Sequence, residues 1–386
     1  MKQGWEVKRL KDLLEVQNGY AFASSLFSAS EGMPLIRIRD LKNGVNTKVN
    51  FTGEYSKDYI VQKGDFLIGM DGEFRCYEWA GGNALLNQRV CRLQNFEDSL
   101  LPKFLFYGVN KHLKDIEDVT SFTTVKHISS KKIKDIEFPI PPLEEQKQIV
   151  AKLDQCFEAI DKAKANATKN LENAKELFQS KLNDIFSQKG EGWVEKKLLD
   201  VCSLKSGTTI AKSLEKGSGD IAYIKVADMN IEENLFSITT SSRYLDFKDI
   251  NKRNIFPIGT VIFPKRGGAI ATNKKRITNI PICADLNTMG AMASDQIVPE
   301  YLHYYFLGFN LLDIANGTTI LQINNYSFDN LKISLPIEYE SQKDIVNLLS
   351  KLKEQTQSLE SKYQQELNSL EELKKSILQK AFEGEL

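Results

Sequence analysis

Two long stretches, residues 143–187 and 345–381, carry apolar or small side chains at steps of three and four positions. Those positions are 149, 153, 156, 160, 163, 167, 171, 174, 178, 182 and 185, then 345, 349, 352, 356, 359, 363, 367, 370, 373, 377 and 381. Such steps are typical of a coiled-coil seam with slips. Pro141 and Pro142 precede the first stretch, and Glu144 and Glu145 stand where the positive end of a helix dipole would lie. The pattern predicts two helices, each about 60 Å long.

The remainder of the chain has a different pattern. Short β-like runs, FLI at 66–68 and VIF at 261–263, alternate with glycine clusters at 69–72, 81–82 and 267–268. We expect these clusters to be tight hairpin turns rather than phosphate-binding loops. Residues 101–110 and 299–309 are typical of short apolar helices. The two segments that precede the long helices are therefore predicted to be mixed α/β domains, rich in strands.

The chain repeats itself. WEVKRLKDL at 5–13 matches WVEKKLLDV at 193–201, and at the same shift of 188 residues Gly19 falls on Gly207. FPIPPLEEQKQIV at 138–150 matches LPIEYESQKDIV at 335–346, and from Gln146 onward the shift is constant at 196. A long helix requires such constancy, because one inserted residue rotates everything after it by about 100°.

The repeat predicts two globular domains, each followed by a long helix. We predict domains at 1–142 and 189–338, with spacer helices at 143–188 and 339–386. Both apolar seams need burial, and the first helix delivers the chain to the second domain after a few residues, so the helices should pack antiparallel. The predicted fold class is α+β, with two mixed α/β domains separated by a long antiparallel two-helix coiled coil in a pseudo-two-fold repeat.

Composition narrows the class of protein. The chain has 51 Lys and Arg residues and 51 Asp and Glu residues, so its net charge is zero. This balance argues mildly against nucleic-acid binding. The argument is weak because the local distribution of charges, not their sum, sets the electrostatic field at a binding surface. No apolar run approaches the length of a membrane span. The five cysteines are scattered without a CxxC pair, which fits a reducing compartment. We therefore expect a cytoplasmic protein.

The sequence lacks the common catalytic motifs. The three histidines lie outside any HExxH pattern, and the sequence has no GxxxxGK[ST] loop and no GxSxG elbow. The Asn/Asp-Pro-Pro-aromatic tetrapeptide of adenine methyltransferases is also missing, since Pro141 and Pro142 lie between Ile140 and Leu143. We expect the globular domains to be binding modules, with neither catalytic residues nor a metal site.

Taken together, these features resemble the specificity subunit of type I restriction–modification systems, over essentially the whole chain. The resemblance is carried by the paired stretches 5–19 and 193–207, by 138–150 and 335–346, and by the helices that follow. GMDGEF at 69–74, with ALLNQRV at 84–90, also looks like part of a target recognition domain. The family implies two such domains, each reading one half of an asymmetric bipartite site in double-stranded DNA.

The resemblance also implies partners. The helix pair would set the spacing between half-sites and dock two methyltransferase (M) subunits, through which restriction (R) subunits join. S-adenosylmethionine, ATP and magnesium would belong to those partners, and this chain would hold no cofactor.

Candidate DNA contacts are side chains suited to bases and phosphates. Arg, Lys, Asn and Gln read base edges, and Lys, Arg, Ser and Thr hold phosphates. The candidates in the first domain are Arg37, Arg39, Lys42, Arg75, Asn87, Gln88, Arg89, Thr124, Lys126 and His127. Those in the second domain are Lys225, Arg243, Lys265, Arg266, Asn273, Lys274, Lys275, Arg276, Thr319 and Gln322. The alternative for each basic residue is a solvated surface charge. Trp5 and Trp193 are expected to be packing residues, and Trp79 a core residue or a base-stacking one.

Two other functions stay open. The chain could be a coiled-coil adaptor whose domains bind proteins, or an enzyme that acts on nucleic acid by itself. DNA binding that weakens steeply with salt separates the first alternative from DNA recognition. Activity of the isolated chain would indicate the second.

Overall fold

A computed structural model describes residues 4–120, 126–317 and 319–386. Two compact units are formed: unit 1 comprises Met1–Asn166 and Glu366–Leu386, and unit 2 comprises Ala167–Gln365. Each unit is a mixed α/β body with a portion of both long helices, which confirms the predicted fold class. No helix in the described ranges is both apolar enough and long enough to cross a membrane.

The described residues of unit 1 form short strands, three short or medium α-helices, the first part of one long helix and the end of the other. The strands are β1 (Glu6–Arg9), β2 (Glu15–Asn18), β3 (Phe27–Ser28), β4 (Met33–Ile36), β5 (Asn50–Phe51), β6 (Ile60–Val61), β7 (Phe66–Gly69), β8 (Cys76–Glu78), β9 (Ala84–Leu86), β10 (Val90–Gln94) and β11 (Glu137–Ile140). The helices are α1 (Ile38–Leu41), α2 (Pro102–Val119), α3 (Ser130–Lys134) and α4 (Leu143–Phe186). The strands pair in the orders β1-β11, β2-β10-β7-β8 and β3-β5-β4-β9-β6.

Unit 2 follows the same general plan, but its described residues form ten strands instead of eleven, and these are divided differently among the sheets. Its strands are β12 (Trp193–Lys197), β13 (Cys202–Ser206), β14 (Ile221–Ile224), β15 (Ser237–Ile238), β16 (Tyr244–Leu245), β17 (Val261–Pro264), β18 (Arg276–Thr278), β19 (Ile282–Ala284), β20 (Thr288–Ala293) and β21 (Lys332–Pro336). Its helices are α5 (Leu198–Val201), α6 (Pro299–Gly308) and α7 (Tyr339–Glu383), of which α7 ends in unit 1. The strands pair in the orders β12-β21, β13-β20-β17-β18-β15 and β16-β14-β19. The cluster at 267–268, predicted to be a hairpin turn, instead begins a 3-10 helix, Gly267–Thr272.

A buried glutamine ties each long helix to its globular body. Gln146 donates from Nε2 to the carbonyls of Ser99 (2.8 Å) and Pro141 (2.9 Å), and its Oε1 accepts from the Leu101 amide (2.8 Å). Gln342 makes the same three bonds in unit 2, to Gln296, Pro336 and Val298. Both glutamines are fully buried, where each unmade bond would be costly. The repeated motif around residues 138–150 and 335–346 therefore encodes this attachment.

The long helices pack antiparallel within each unit. In unit 1, Asp161 lies 3.5 Å from Lys374, and Lys164 pairs with Glu371, so one helix ascends while the other descends. In unit 2, Leu182 and Ile185 pack with Leu349. All the predicted seam positions of α4 are buried or half-buried, whereas Leu359 and Leu373 of α7, predicted in its seam, are 37% and 47% exposed. The three-and-four pattern therefore predicted the helix correctly but not the burial of these two side chains.

Equivalent aromatic residues join helix and body. Phe382 of α7 packs against Phe104 and Phe138 in unit 1, with ring centroids 4.9 and 5.9 Å away. Phe186 of α4 packs against Tyr301 and Tyr305 in unit 2, at 5.2 and 5.5 Å. The constant shift of 196 residues pairs Phe186 with Phe382. The structure shows that both side chains pack on aromatic residues of a globular body, as this pairing suggests.

The matched glycines mark a close approach of two backbone segments. A Cβ on Gly19 would lie 2.0 Å from the carbonyl oxygen of Asn87, and one on Gly207 would lie 2.0 Å from that of Asp285. Neither contact leaves room for any other residue. This approach places the turn at residues 87–90 beside the end of strand β2, and its counterpart at 285–288 beside the end of strand β13.

Candidate nucleic-acid interface

Three backbone segments meet at the end of strand β7 in unit 1. Met70 donates its amide to the Arg89 carbonyl (2.9 Å), Ile128 donates to Met70 (2.9 Å), and Gly72 donates to Lys126 (3.0 Å). Asp71 and His127 also form an isolated antiparallel bridge. We call this meeting point, residues 70–72, 87–90 and 126–128, the strand-end junction of unit 1.

The same bonds recur at the end of strand β17 in unit 2. Lys265 donates to the Asn287 carbonyl (2.8 Å), Ile323 donates to Lys265 (2.9 Å), and Gly267 donates to Leu321 (2.8 Å). Arg266 and Gln322 form the matching antiparallel bridge. Residues 265–267, 285–288 and 321–323 are the strand-end junction of unit 2, so the backbone is conserved between the repeats while the side chains are not.

The unit 1 junction presents an ionic cluster. His127 Nδ1 lies 2.6 Å from Asp71 Oδ1, and Arg89 Nε lies 3.7 Å from Asp71 Oδ2. Arg89 has a φ of 71°, unusual for a residue other than glycine, and its side chain is 56% exposed. The structure therefore brings together two predicted residues, Arg89 and His127, around a carboxylate.

The unit 2 junction presents different chemistry. Lys265 Nζ donates to Ser206 Oγ (2.8 Å), and burial followed by the neighbouring Arg266 charge lowers the pKa of Lys265. Asn287 Nδ2 donates to Asp285 Oδ2 (2.9 Å). Arg266, Asn287 and Gln322 are exposed. Three predicted residues therefore lie together at the unit 2 junction: Lys265, Arg266 and Gln322.

The other unit 1 candidates lie around this junction or beneath it. Arg39 and Lys42 are exposed at helix α1, whose Ile38 and Leu41 lie under Gly69, and half-buried Arg37 lies 3.5 Å from Asp40. Exposed Arg75 pairs with Glu73 at 3.8 Å, and Gln88 is exposed in the turn. Lys126 donates to the Glu117 carbonyl (2.8 Å). Asn87 is only 7% exposed, so its side chain lies beneath the surface, and Thr124 lies outside the described residues.

Two unit 2 candidates belong to an internal ion cluster. Lys225 Nζ lies 2.7 Å from Glu215, and Arg243 Nε lies 3.2 Å from the same carboxylate. Arg243 also reaches buried Asp228 at 3.3 Å. Their charges are balanced by acidic neighbours, so they contribute little free positive potential.

The basic run 273–276 is structural, which corrects its selection as a DNA-contacting segment. Lys275 is 1% exposed and donates to the Phe309 carbonyl (2.5 Å), and burial lowers its pKa to about 8. Arg276 donates to the carbonyls of Asn234, Lys275 and Met229, at 2.7, 2.9 and 3.3 Å respectively. Asn273 accepts from the Leu311 amide (2.8 Å), and half-buried Lys274 donates to Asn230. These bonds hold loops together, and we do not retain Lys275 or Arg276 as DNA contacts.

The last predicted residue, Thr319, and the three tryptophans differ in exposure. Thr319 is exposed. Trp79 is 2% exposed and donates to the Gly82 carbonyl (2.8 Å), which makes it a core residue rather than a base-stacking one. Trp5 is 6% exposed against Phe104, and Trp193 is half-buried beside Leu182 and Ile185, so both pack as predicted.

Sequence reasoning missed Asp71 and Asn287. The shift of 195 residues that relates strand β7 to strand β17 also pairs Asp71 with Arg266 and His127 with Gln322. Extending that alignment along the sequence would have identified position 71 as the counterpart of the predicted residue Arg266. Asn287 aligns with Arg89 only after a further gap, and only the equivalent hydrogen bonds reveal it.

Comparison with known proteins identifies the class. Residues 2–173 and 190–369 match the family described as type I restriction modification DNA specificity domain. The chain belongs to this family.

Individual relatives and structures agree. The chain is 30% identical over 420 residues to the type I restriction enzyme EcoBI specificity subunit of Escherichia coli, covering 99% of this chain and 86% of that one. It is 24% identical over 409 residues to the MjaVIII specificity subunit of Methanocaldococcus jannaschii, covering 100% and 93%. The crystal structure of the HsdS subunit from Thermoanaerobacter tengcongensis superposes with a TM-score of 0.62 at 19% identity, covering 100% and 98%. A chain from a structural study of type I R-M complex assembly gives 0.77 at 19% identity, covering 100% and 99%. The two structures establish a shared fold.

Proposed function

We propose that this chain is the specificity subunit of a type I restriction–modification complex and that each unit reads one half of an asymmetric bipartite site in double-stranded DNA. The observation that carries this proposal is the duplicated strand-end junction. Its backbone hydrogen bonds are the same in both units, whereas equivalent positions carry Asp71 and Arg266, or His127 and Gln322. One scaffold with two sets of polar side chains suits a protein that reads two unlike half-sites.

The long helices suit the roles of spacer and docking surface. Helix α4 has 44 residues and α7 has 45, and their exposed faces carry mixed charge. We propose that they set the gap between half-sites and dock two methyltransferase subunits, which in turn bind restriction subunits. Under this proposal S-adenosylmethionine, ATP and magnesium act in the partners, and this chain itself performs no chemical step.

DNA binding by the complex of this chain with its methyltransferase subunits should weaken steeply with salt. Phosphate contacts release counterions, so six or more of them would lower affinity by about 10³-fold or more between 50 and 200 mM salt. Fluorescence anisotropy with a labelled duplex, taken from a genome that the complex modifies, measures this. An adaptor that binds proteins predicts weak binding with no preference for that duplex over a scrambled one, and this result would reject the proposal.

A further inference from the structure

We infer that the junction position occupied by Arg89 in unit 1 and by Asn287 in unit 2 reads a base in each half-site, with Arg89 selecting guanine and Asn287 selecting adenine. This inference rests on the proposed function and adds the identity of one recognised base in each half. The two positions are equivalent because the Arg89 carbonyl accepts from Met70 as the Asn287 carbonyl accepts from Lys265. In both turns the next residue's amide bonds back, Val90 to Asn87 and Thr288 to Asp285.

Arg89 is oriented and still able to donate. Its Nε lies 3.7 Å from Asp71 Oδ2, which leaves the outer guanidinium nitrogens for a ligand. Its side chain is more than half exposed, at the tip of a turn fixed by backbone bonds on both sides. A guanidinium fork presented in this way matches O6 and N7 of guanine in the major groove.

His127 contributes to that orientation through Asp71. His127 Nδ1 lies 2.6 Å from Asp71 but 3.4 Å from Arg89 NH1. One ring nitrogen cannot both donate to the carboxylate and accept from arginine, and the shorter contact takes precedence. Asp71 therefore accepts from His127 and attracts Arg89, which makes it a positioning residue for the guanidinium.

Asn287 is anchored in a complementary way. One of its amide protons is donated to Asp285 Oδ2 (2.9 Å), and the Thr288 hydroxyl donates to the other oxygen of the same carboxylate (2.9 Å). Asn287 keeps one N–H and its carbonyl oxygen, the pair that matches N7 and N6 of adenine. Exposed Arg266 beside it supplies positive charge that can hold an adjacent phosphate.

The test is the pair of substitutions Arg89→Asn and Asn287→Arg in the full chain, assembled with its methyltransferase subunits. Methylation of a randomised duplex library, read by sequencing, gives the recognised motif. Arg89→Asn should change one guanine of one half-site to adenine and leave the other half and the gap unchanged. Asn287→Arg should change one adenine of the other half-site to guanine. Arg9→Asn is the matched control, because Arg9 is 50% exposed but lies on β1, paired with β11, and it should leave the motif unchanged.

Arg89→Ala keeps the inference testable if the asparagine variant is inactive. It should reduce discrimination at one position by about 5- to 150-fold, the effect of losing one bidentate base contact. An unaltered motif in both Arg89 variants would overturn the inference, as would failure of both to assemble, since Arg89 would then serve the fold. If the unsubstituted complex methylated no bipartite motif, the proposed function itself would fail.

Discussion

Replacing Gln146 by leucine is expected to lower the free energy of unfolding of unit 1 by about 3 kcal/mol, because one buried carbonyl, one partly buried carbonyl and one partly buried amide would lose their partner. Leucine has a similar volume, so cavity formation contributes little, and the cost comes from the groups on Ser99, Leu101 and Pro141 that Gln146 now satisfies. This change is measured by a urea titration in which unfolding is monitored through the hydrogen exchange of peptides from unit 1.

Two variants sharpen that experiment. Gln148→Leu lies on the same helix but is exposed, and should change stability by less than about 0.5 kcal/mol. Gln342→Leu should destabilise unit 2 as Gln146→Leu destabilises unit 1, since the three bonds are duplicated. Equal stability of the Gln146 and Gln148 variants would show that the helix is not held at this point.

Adding seven residues to each long helix should lengthen the gap between the half-sites by about three base pairs. Seven residues are one heptad, which preserves the apolar seam, and at 1.5 Å per residue they add about 10 Å. The insertions belong after Asn166 in α4 and after Gln365 in α7, where each helix passes from one unit to the other. Methylome sequencing of cells carrying the lengthened subunit measures the gap.

An insertion in α4 alone is the control for this experiment. It would shift the contact between Asp161 and Lys374 out of register with the contact between Leu182 and Leu349. The complex should therefore lose DNA methylation, and no motif with a longer gap should appear. An unchanged gap in the doubly lengthened subunit would reject the spacer role of the helices.

The helices were the most predictable feature because a single local pattern specifies them. Apolar residues at steps of three and four in 143–187 correctly predicted helix α4, and the repeat of Gln146 as Gln342 marked where each helix attaches. The pattern was wrong about the burial of Leu359 and Leu373, which are exposed. A periodicity specifies a helix more firmly than the face that each residue occupies.

The candidate site was less predictable because it is assembled from distant segments. Asp71, Arg89 and His127 are far apart in sequence, and only strand pairing brings them together. The run 273–276 misled for the same reason, since nothing local shows that the ammonium of Lys275 is buried against the Phe309 carbonyl. Charge runs predict exposure only when no long-range partner is available for them.

The central claim is that each unit reads one half of the DNA site by itself. The most direct measurement exchanges residues 5–138 for the corresponding segment of a relative with a different target and maps methylated adenines in the host genome. We predict that one half of the motif changes to that of the relative, while the other half and the gap stay as they were. A motif that is unaltered, or altered in both halves, would contradict the account.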